Sequence, residues 1–338
     1  MHMADALISP AVGAVTWAVS SGAVALSSRH ISKSSDNRQV PLMGVLGAFL
    51  FAAQMINFSI PGTGSSGHLG GGLLLTILLG PYAGLLVITS VLMVQALFFA
   101  DGGLLALGCN ILNMGVIPAF LVYPLVYRPV CTANCSTTRR NLAIMLSAVI
   151  SLQLGPFCVV LETLFSGLTA LPFSSFTLLM QPIHLAIGVV EGQITASVVS
   201  AVYQARPEIR SAAGQTTLVG SLNSLVVGLA ITAAIAGGGL SLLASEKPDG
   251  LEWAIAKTTG AAHLSGITGQ THDLLARVQS ATAFLPDYNL KKNEAVNGAD
   301  PAYGTSLSGL VGGVITLGIL LLLGVYLGRR KARQDIIS

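Results

Sequence analysis

The chain is 338 residues long, 52% hydrophobic and 9% charged, with a formal net charge of +3. A soluble domain carries about 25% charged residues, so this chain cannot clothe a water-facing surface, and lipid must be the solvent for most of it. A net charge this small gives no case for nucleic-acid binding.

A crossing helix needs about 20 apolar residues to span about 30 Å of hydrocarbon. Runs of that kind occupy 11–28, 41–59, 82–100, 104–127, 142–165, 179–203, 218–244 and 306–328. The stretch from 70 to 100 would make one helix of about 46 Å, too long for a single crossing, and Gly80-Pro81 breaks it. The short piece, 69–80, covers only about 18 Å at helical rise and is expected to cross or to re-enter as a half-helix, which is tolerated where protein surrounds it. The expected fold is an all-α polytopic membrane protein with about nine transmembrane segments.

Charge placement orients it. Arg29, Lys33 and Arg38, then Arg128, Arg139 and Arg140, then Arg206 and Arg210, and finally Arg329, Arg330, Lys331 and Arg333 fall in alternate connections and the tail. The connections 60–68, 101–103 and 166–178 hold no Lys or Arg. The positive-inside rule then puts the N-terminus outside and the tail in the cytoplasm of a multi-pass cell-membrane protein. The polar stretch 245–305, with 12 of the 31 charged residues, falls outside by parity. The chain divides into a seven-segment bundle (1–204), a cytoplasmic linker (205–217) and a two-span hairpin (218–338) carrying the 245–305 loop. No basic stretch precedes the first apolar run, so Met1 is taken as the first residue of the mature chain. Cys109, Cys131, Cys135 and Cys158 lie in or between apolar segments, which argues against a disulfide framework. Cys131 and Cys135 are expected to be free thiols.

Few residues could carry chemistry. At Met1-His2, a free α-amine, the next amide nitrogen and the imidazole can close five- and six-membered chelate rings, approaching the planar nitrogen set that tetragonal Ni(II) or Cu(II) prefers. His68 follows Pro61-Gly62-Thr63-Gly64-Ser65-Ser66-Gly67 and precedes Gly70-Gly71-Gly72; it is either an incidental histidine in a flexible turn or a ligand in a tight cap around a small ion. Gly62, Gly64 and Gly67 spell G-x-G-x-x-G, but no strand precedes them and the next acidic residue is Asp101, so the dinucleotide reading fails. His184 and Glu191 lie seven apart on one span and share a face, either as a structural hydrogen-bonded pair or as a functional intramembrane site. Glu162 and Asp101 are expected at the membrane interface, and His263 and His272 in solvent. No G-x-x-x-x-G-K-[ST] is present, so ATP-driven work would need a partner. The absence of H-E-x-x-H and G-x-S-x-G leaves no case for an intramembrane enzyme.

The opening Met1-His2-Met3-Ala4-Asp5-Ala6-Leu7-Ile8-Ser9-Pro10 resembles the N-terminal signature of the CbiM/NikM family, with Met3-Ala4-Asp5-Ala6 where the commoner form has Ile-Pro-Asp-Gly. Gly62 to Gly72 is similar to that family's histidine loop, and Asp101-Gly102-Gly103, Asn110 to Gly115 and His184 to Glu191 resemble further blocks. Pro248-Asp249-Gly250-Leu251-Glu252 is similar to the "PDGLE" signature of its N-type component. The resemblance implies the metal-capture subunit of an energy-coupling-factor importer for Ni2+ or Co2+, nickel favoured, naturally fused to an N-type module. It implies ligands at Met1, His2 and His68 and no resident cofactor. The implied partners are a transmembrane coupling subunit and two cytosolic ATPase subunits. The competing expectation is a secondary metal transporter that needs no ATPase and relays protons through His184 and Glu191.

Overall fold

The computed structural model describes residues 2–34, 39–132, 135–169, 171–206, 209, 223–260, 269–290 and 301–337. Among these, each of the nine apolar segments falls on a helix. In chain order they are α1 (Pro10–Ser34), α2 (Gln39–Gln54), α3 (Gly72–Leu79) and α4 (Pro81–Phe98), followed by α5 (Leu107–Val130), α6 (Thr137–Ser166) and α7 (Phe173–Ala205). Two polar-loop helices, α9 (Gly250–Thr259) and α10 (Gln270–Thr282), separate α8 (Asn223–Gly238) from α11 (Pro301–Ile337). Seven helices are long and apolar enough to cross a membrane; α2 is shorter and α3 has only 8 residues. Its length is about 12 Å, so α3 cannot cross the hydrocarbon on its own.

That short helix lies at the centre of the bundle, buried from Gly72 to Leu78 against α4, α5 and α7. It starts after Gly71 (φ 79°) and stops at Gly80 (φ 83°), backbone conformations that glycine adopts without strain. Pro81 then opens α4, the helix position where its missing N–H costs nothing. At Gly84 the helices nearly touch: a Cβ there would lie 2.9 Å from the Thr76 backbone. A Cβ on Gly72 would collide with the Met114 carbonyl of α5. Because α3 begins inside protein, the buried amides ahead of it need acceptors from the protein. Glu191 of α7 supplies the acceptors, taking the Gly70 N–H at 2.8 Å and the Gly71 N–H at 3.0 Å. A carboxylate at a helix N-terminus satisfies orphan donors and opposes the positive end of the dipole.

From Leu112 to Tyr127, α5 is wound as a π-helix that contains Pro118 and Pro124. Neither proline can donate to a helical hydrogen bond. The second half is not a detached unit. α8 and α11 touch through Gly237 and Gly309, and α11 lays Gly312 on the Phe51 ring of α2 and Leu320 over Gly47. Small residues that let helices approach this closely are the usual adhesive of membrane bundles.

The loops assigned to the outside by charge gather at one end of the bundle, where Ser9 N–H donates to Ser166 Oγ at 3.0 Å and Ser245 N–H to the Asn57 carbonyl at 2.8 Å. Basic residues mark the other end. Arg140 donates to Ser200 Oγ at 3.0 Å and lies over the Tyr203 ring, and Arg206 donates to Ser224 Oγ at 3.3 Å.

Two sequence expectations need correction here. Cys131 and Cys135 are disulfide-bonded, not free, with Cα atoms 5.4 Å apart, within reach of a bridge. Glu162 is not interfacial but 7% exposed, accepting a hydrogen bond from Asn113 Nδ2 at 2.8 Å. Most of the 205–217 linker lies outside the described residues.

The glycine contacts give a direct test. Gly72→Ala should lower thermal stability of the detergent-purified protein by about 1–3 kcal/mol or more, the usual range for overpacking. Gly22→Ala, which meets nothing within 4 Å, should leave it unchanged or slightly higher.

Candidate metal centre

The first residues are threaded into the bundle. Met3, Leu7 and Ile8 are at most 1% exposed and pack with Leu105, Cys109 and Phe176. Main-chain bonds fix this segment along its length. The Met3 N–H donates to Asn110 Oδ1 at 2.9 Å, its carbonyl accepts the Gly103 N–H at 2.9 Å, and Asp5 Oδ1 accepts the Ala106 N–H at 2.9 Å. His2 is therefore placed by the backbone of its neighbour. Met1 lies outside the described residues.

The side chain of His2 is 4% exposed, and its Nδ1 lies 3.2 Å from Asp101 Oδ2. Asp101, expected at an interface, instead joins His2 to Tyr288, whose hydroxyl donates to the same oxygen. Burial alone would raise the Asp101 carboxyl, but the His2 charge and the hydrogen bonds from His2 and Tyr288 hold it well below the usual range. The Asp101 loop turns at Gly102 (φ 79°), where a Cβ would sit 2.9 Å from Asn110 Nδ2 and 3.2 Å from His2 Cβ. Glycine is required there for conformation and for space.

His68 follows a small antiparallel ribbon of β1 (Phe58–Ser59) and β2 (Ser66–Gly67). Its Nδ1 lies 3.1 Å from the Leu69 carbonyl, and the ring stacks on His2 with centroids 5.3 Å apart and planes 10° from parallel. Burial, with neighbouring positive charge that includes His2, pushes His68 down to about 3. The ring is thus neutral at physiological pH. His2 and His68, separated by 66 positions in the chain, meet face to face.

His184 and Glu191 are not bonded to each other. Glu191 binds the Gly70 and Gly71 amides, and His184 Nδ1 lies 2.8 Å from the Met180 carbonyl. His184 Nε2 is buried without a hydrogen-bond partner among the described residues, at a void of about 10 Å³ that His68 and Asp249 also line. One face of α7 therefore supports the His68 loop.

The 245–290 stretch covers both site loops. On one side, Ser66 donates its N–H to the Pro248 carbonyl at 2.8 Å and its hydroxyl to the Lys247 carbonyl at 2.7 Å. α9 then starts with a reciprocal cap: Asp249 Oδ1 accepts the Glu252 N–H at 2.8 Å and Glu252 Oε2 accepts the Asp249 N–H at 3.3 Å. On the other side, Gln279 Nε2 donates to the Ala96 and Gly102 carbonyls at 2.9 and 2.7 Å, and the Asp287 N–H to the Phe99 carbonyl at 2.8 Å. Between them lies a cavity of about 540 Å³ lined by His2, His68, Asp101, Asp249, Glu252 and Tyr288 among others. His272, expected in solvent, is 9% exposed with Nε2 3.0 Å from the Ile8 carbonyl, because α10 lies across the N-terminal segment. His263 lies outside the described residues.

Among the described residues, no three His, Cys, Asp or Glu side chains form a group that could hold a metal. An ion bound at the His2–His68 pair would need main-chain or terminal nitrogens as well. Asp249, Tyr288 and Asn110 were not singled out as site residues from the sequence. Asn110 had a readable signal, a polar residue inside an apolar run, whereas Tyr288 had none.

Residues 2–209 match the model of the CbiM family, described as the cobalt uptake substrate-specific transmembrane region, and residues 223–329 match the PDGLE domain. The chain is 33% identical to a putative fused nickel transport protein NikMN of Archaeoglobus fulgidus, covering 94% of this chain and 96% of that one. It is 28% identical to a cobalt transport protein CbiM of Geobacter sulfurreducens over 78% of each. A crystal structure of a transition metal transporter superposes with a TM-score of 0.54 at 29% identity, covering 61% of this chain and 93% of the other. The buried N-terminal segment, the histidine loop and the seated PDGLE stretch thus occur in a chain that belongs to the CbiM family of multi-pass metal-uptake membrane proteins, in the form fused to a PDGLE domain.

Proposed function

We propose that this protein captures Ni2+ or Co2+ for an energy-coupling-factor importer. The ion would be held by the amine of Met1, the amide nitrogen and imidazole of His2, and the imidazole of His68. The observation that carries the reading is the stacking of His2 on His68 inside a cavity covered by the second half of the chain. Three nitrogens from the first two residues approach a plane, His68 supplies the fourth, and such a set suits tetragonal Ni(II). The fused relatives of Archaeoglobus fulgidus and Rhodobacter capsulatus are named nickel transport proteins, which also favours nickel. The six-membered chelate ring uses Nδ1, which here faces Asp101 at 3.2 Å, so binding exchanges that contact for the ion. The chain carries no phosphate-binding loop, and energy would come from two cytosolic ATPase subunits acting through a transmembrane coupling subunit. A proton relay through His184 and Glu191 gains no support, since Glu191 is engaged by two main-chain amides and does not bond His184.

Chain position matters here as much as residue type. His2→Ala, His68→Ala and insertion of one alanine between Met1 and His2 should each abolish high-affinity Ni2+ and Co2+ binding by calorimetry, while the protein still inserts and purifies. Wild-type affinity in the insertion variant would end the assignment of the terminal nitrogens.

The pH dependence should report the same nitrogens. With His68 at about 3, its protonation does not compete with metal at neutral pH. The chelated amide must lose a proton, and the α-amine ordinarily titrates near 7.7–8.0. Affinity should therefore fall from pH 8 to pH 6, with protons released on binding, as buffer-dependent calorimetric heats will show. A pH-independent affinity over that range would contradict an amine–amide chelate.

The orientation is tested separately. In a background without native cysteines, an impermeant thiol reagent should label Asn293→Cys in intact cells and leave Ser338→Cys untouched. The reverse pattern would invert the topology and put the site on the cytoplasmic face.

A further inference from the structure

Two carboxylates flank the paired imidazoles, and they come from opposite halves of the chain. Asp101 precedes α5 and contacts His2. Asp249 comes from the PDGLE stretch; it lines the large cavity together with His2 and His68, and the small void together with His68 and His184. Two buried imidazole nitrogens, His2 Nε2 and His184 Nε2, have no hydrogen-bond partner among the described residues, and their residues line these same two spaces. A divalent ion bound by imidazole and amine nitrogens keeps most of its charge, and a buried charge is costly unless an opposite charge lies beside it. Asp101 supplies one such charge. Asp249 supplies the other: Ser66 pins its stretch through the Pro248 and Lys247 carbonyls, and its side chain lines the cavity together with His2 and His68.

We propose that Asp249 is the counter-charge that the fused second half inserts into the metal centre. On this view the PDGLE stretch belongs to the binding site for a divalent cation, and the site of the first half is electrostatically complete only when that stretch is seated on Ser66. The proposal rests on the metal-capture reading above and extends it to a residue outside the nitrogen ligand set.

The side chain has two jobs that substitution can separate. Asparagine caps a helix about as well as aspartate, so Asp249→Asn should keep α9 while removing the charge, and Asp249→Glu keeps the charge. Calorimetry with Ni2+ on the full-length protein in detergent should show affinity falling about 10–100-fold in Asp249→Asn, the usual effect of losing an outer-shell partner. Asp249→Glu should bind more tightly than Asp249→Asn. Asp273→Asn, which removes the same charge from an exposed turn of α10, should bind as wild type, and thermal melting without metal should be alike in wild type, Asp249→Asn and Asp273→Asn. Wild-type affinity in Asp249→Asn, alongside loss of binding in His2→Ala and His68→Ala, would overturn the counter-charge and leave metal capture standing. Weakening by Asp273→Asn as large as that by Asp249→Asn would also overturn it, because the general field of the loop would then be responsible. Persistence of binding in both histidine variants would instead remove the metal-capture reading itself.

Discussion

The bundle is organised around a main-chain problem: a helix that begins inside the protein needs acceptors for its first amides. α3 starts among buried residues, and Glu191 meets the need with both of its oxygens. An unsatisfied amide in such surroundings costs several kcal/mol, so the carboxylate and the glycine loop hold each other in place. The chain leaving His68 passes directly through this contact. The position of the imidazole is thus set by a residue 123 positions away on α7, and the glycines between them allow the backbone to come close enough.

A second constraint acts from the chain start. Met3 is bonded through both its amide and its carbonyl to the α5 region, and the apolar residues after it are sealed in the core. The two histidines therefore converge because two unrelated segments are each fixed by main-chain bonds, not because of any direct bond between them. The second half closes the arrangement from above, with the PDGLE stretch paired to the ribbon before His68 and Tyr288 bonded to Asp101.

The helices were legible in the sequence because their cause is local: a length of apolar chain sufficient for the hydrocarbon, punctuated by Gly80-Pro81 and by loops of alternating basic character. His2 and His68 were legible for a different reason, since terminal chelation is a property of two adjacent residues and the histidine loop resembles a known one. What escaped depended on contacts through space. Glu162 reads as an interfacial acid until Asn113 is found beside it, and His272 as a solvated loop residue until α10 is laid over Ile8. Asp249 reads only as part of a signature, because nothing within its own segment says that it will line one cavity with His68. The Cys131–Cys135 bridge depends on how near the two Cα atoms come, 5.4 Å, which spacing alone does not disclose.

The buried, neutral His68 also bears on how the folded state responds to acid. In an unfolded chain its imidazole would take a proton near the ordinary value of about 6.5, whereas in the fold it resists down to about 3. Between those values the unfolded chain binds the extra proton, so acidification erodes stability across that window. That contribution belongs to a loop that encloses the histidine pair, so acid acts on that end of the molecule rather than on the apolar bundle beneath it.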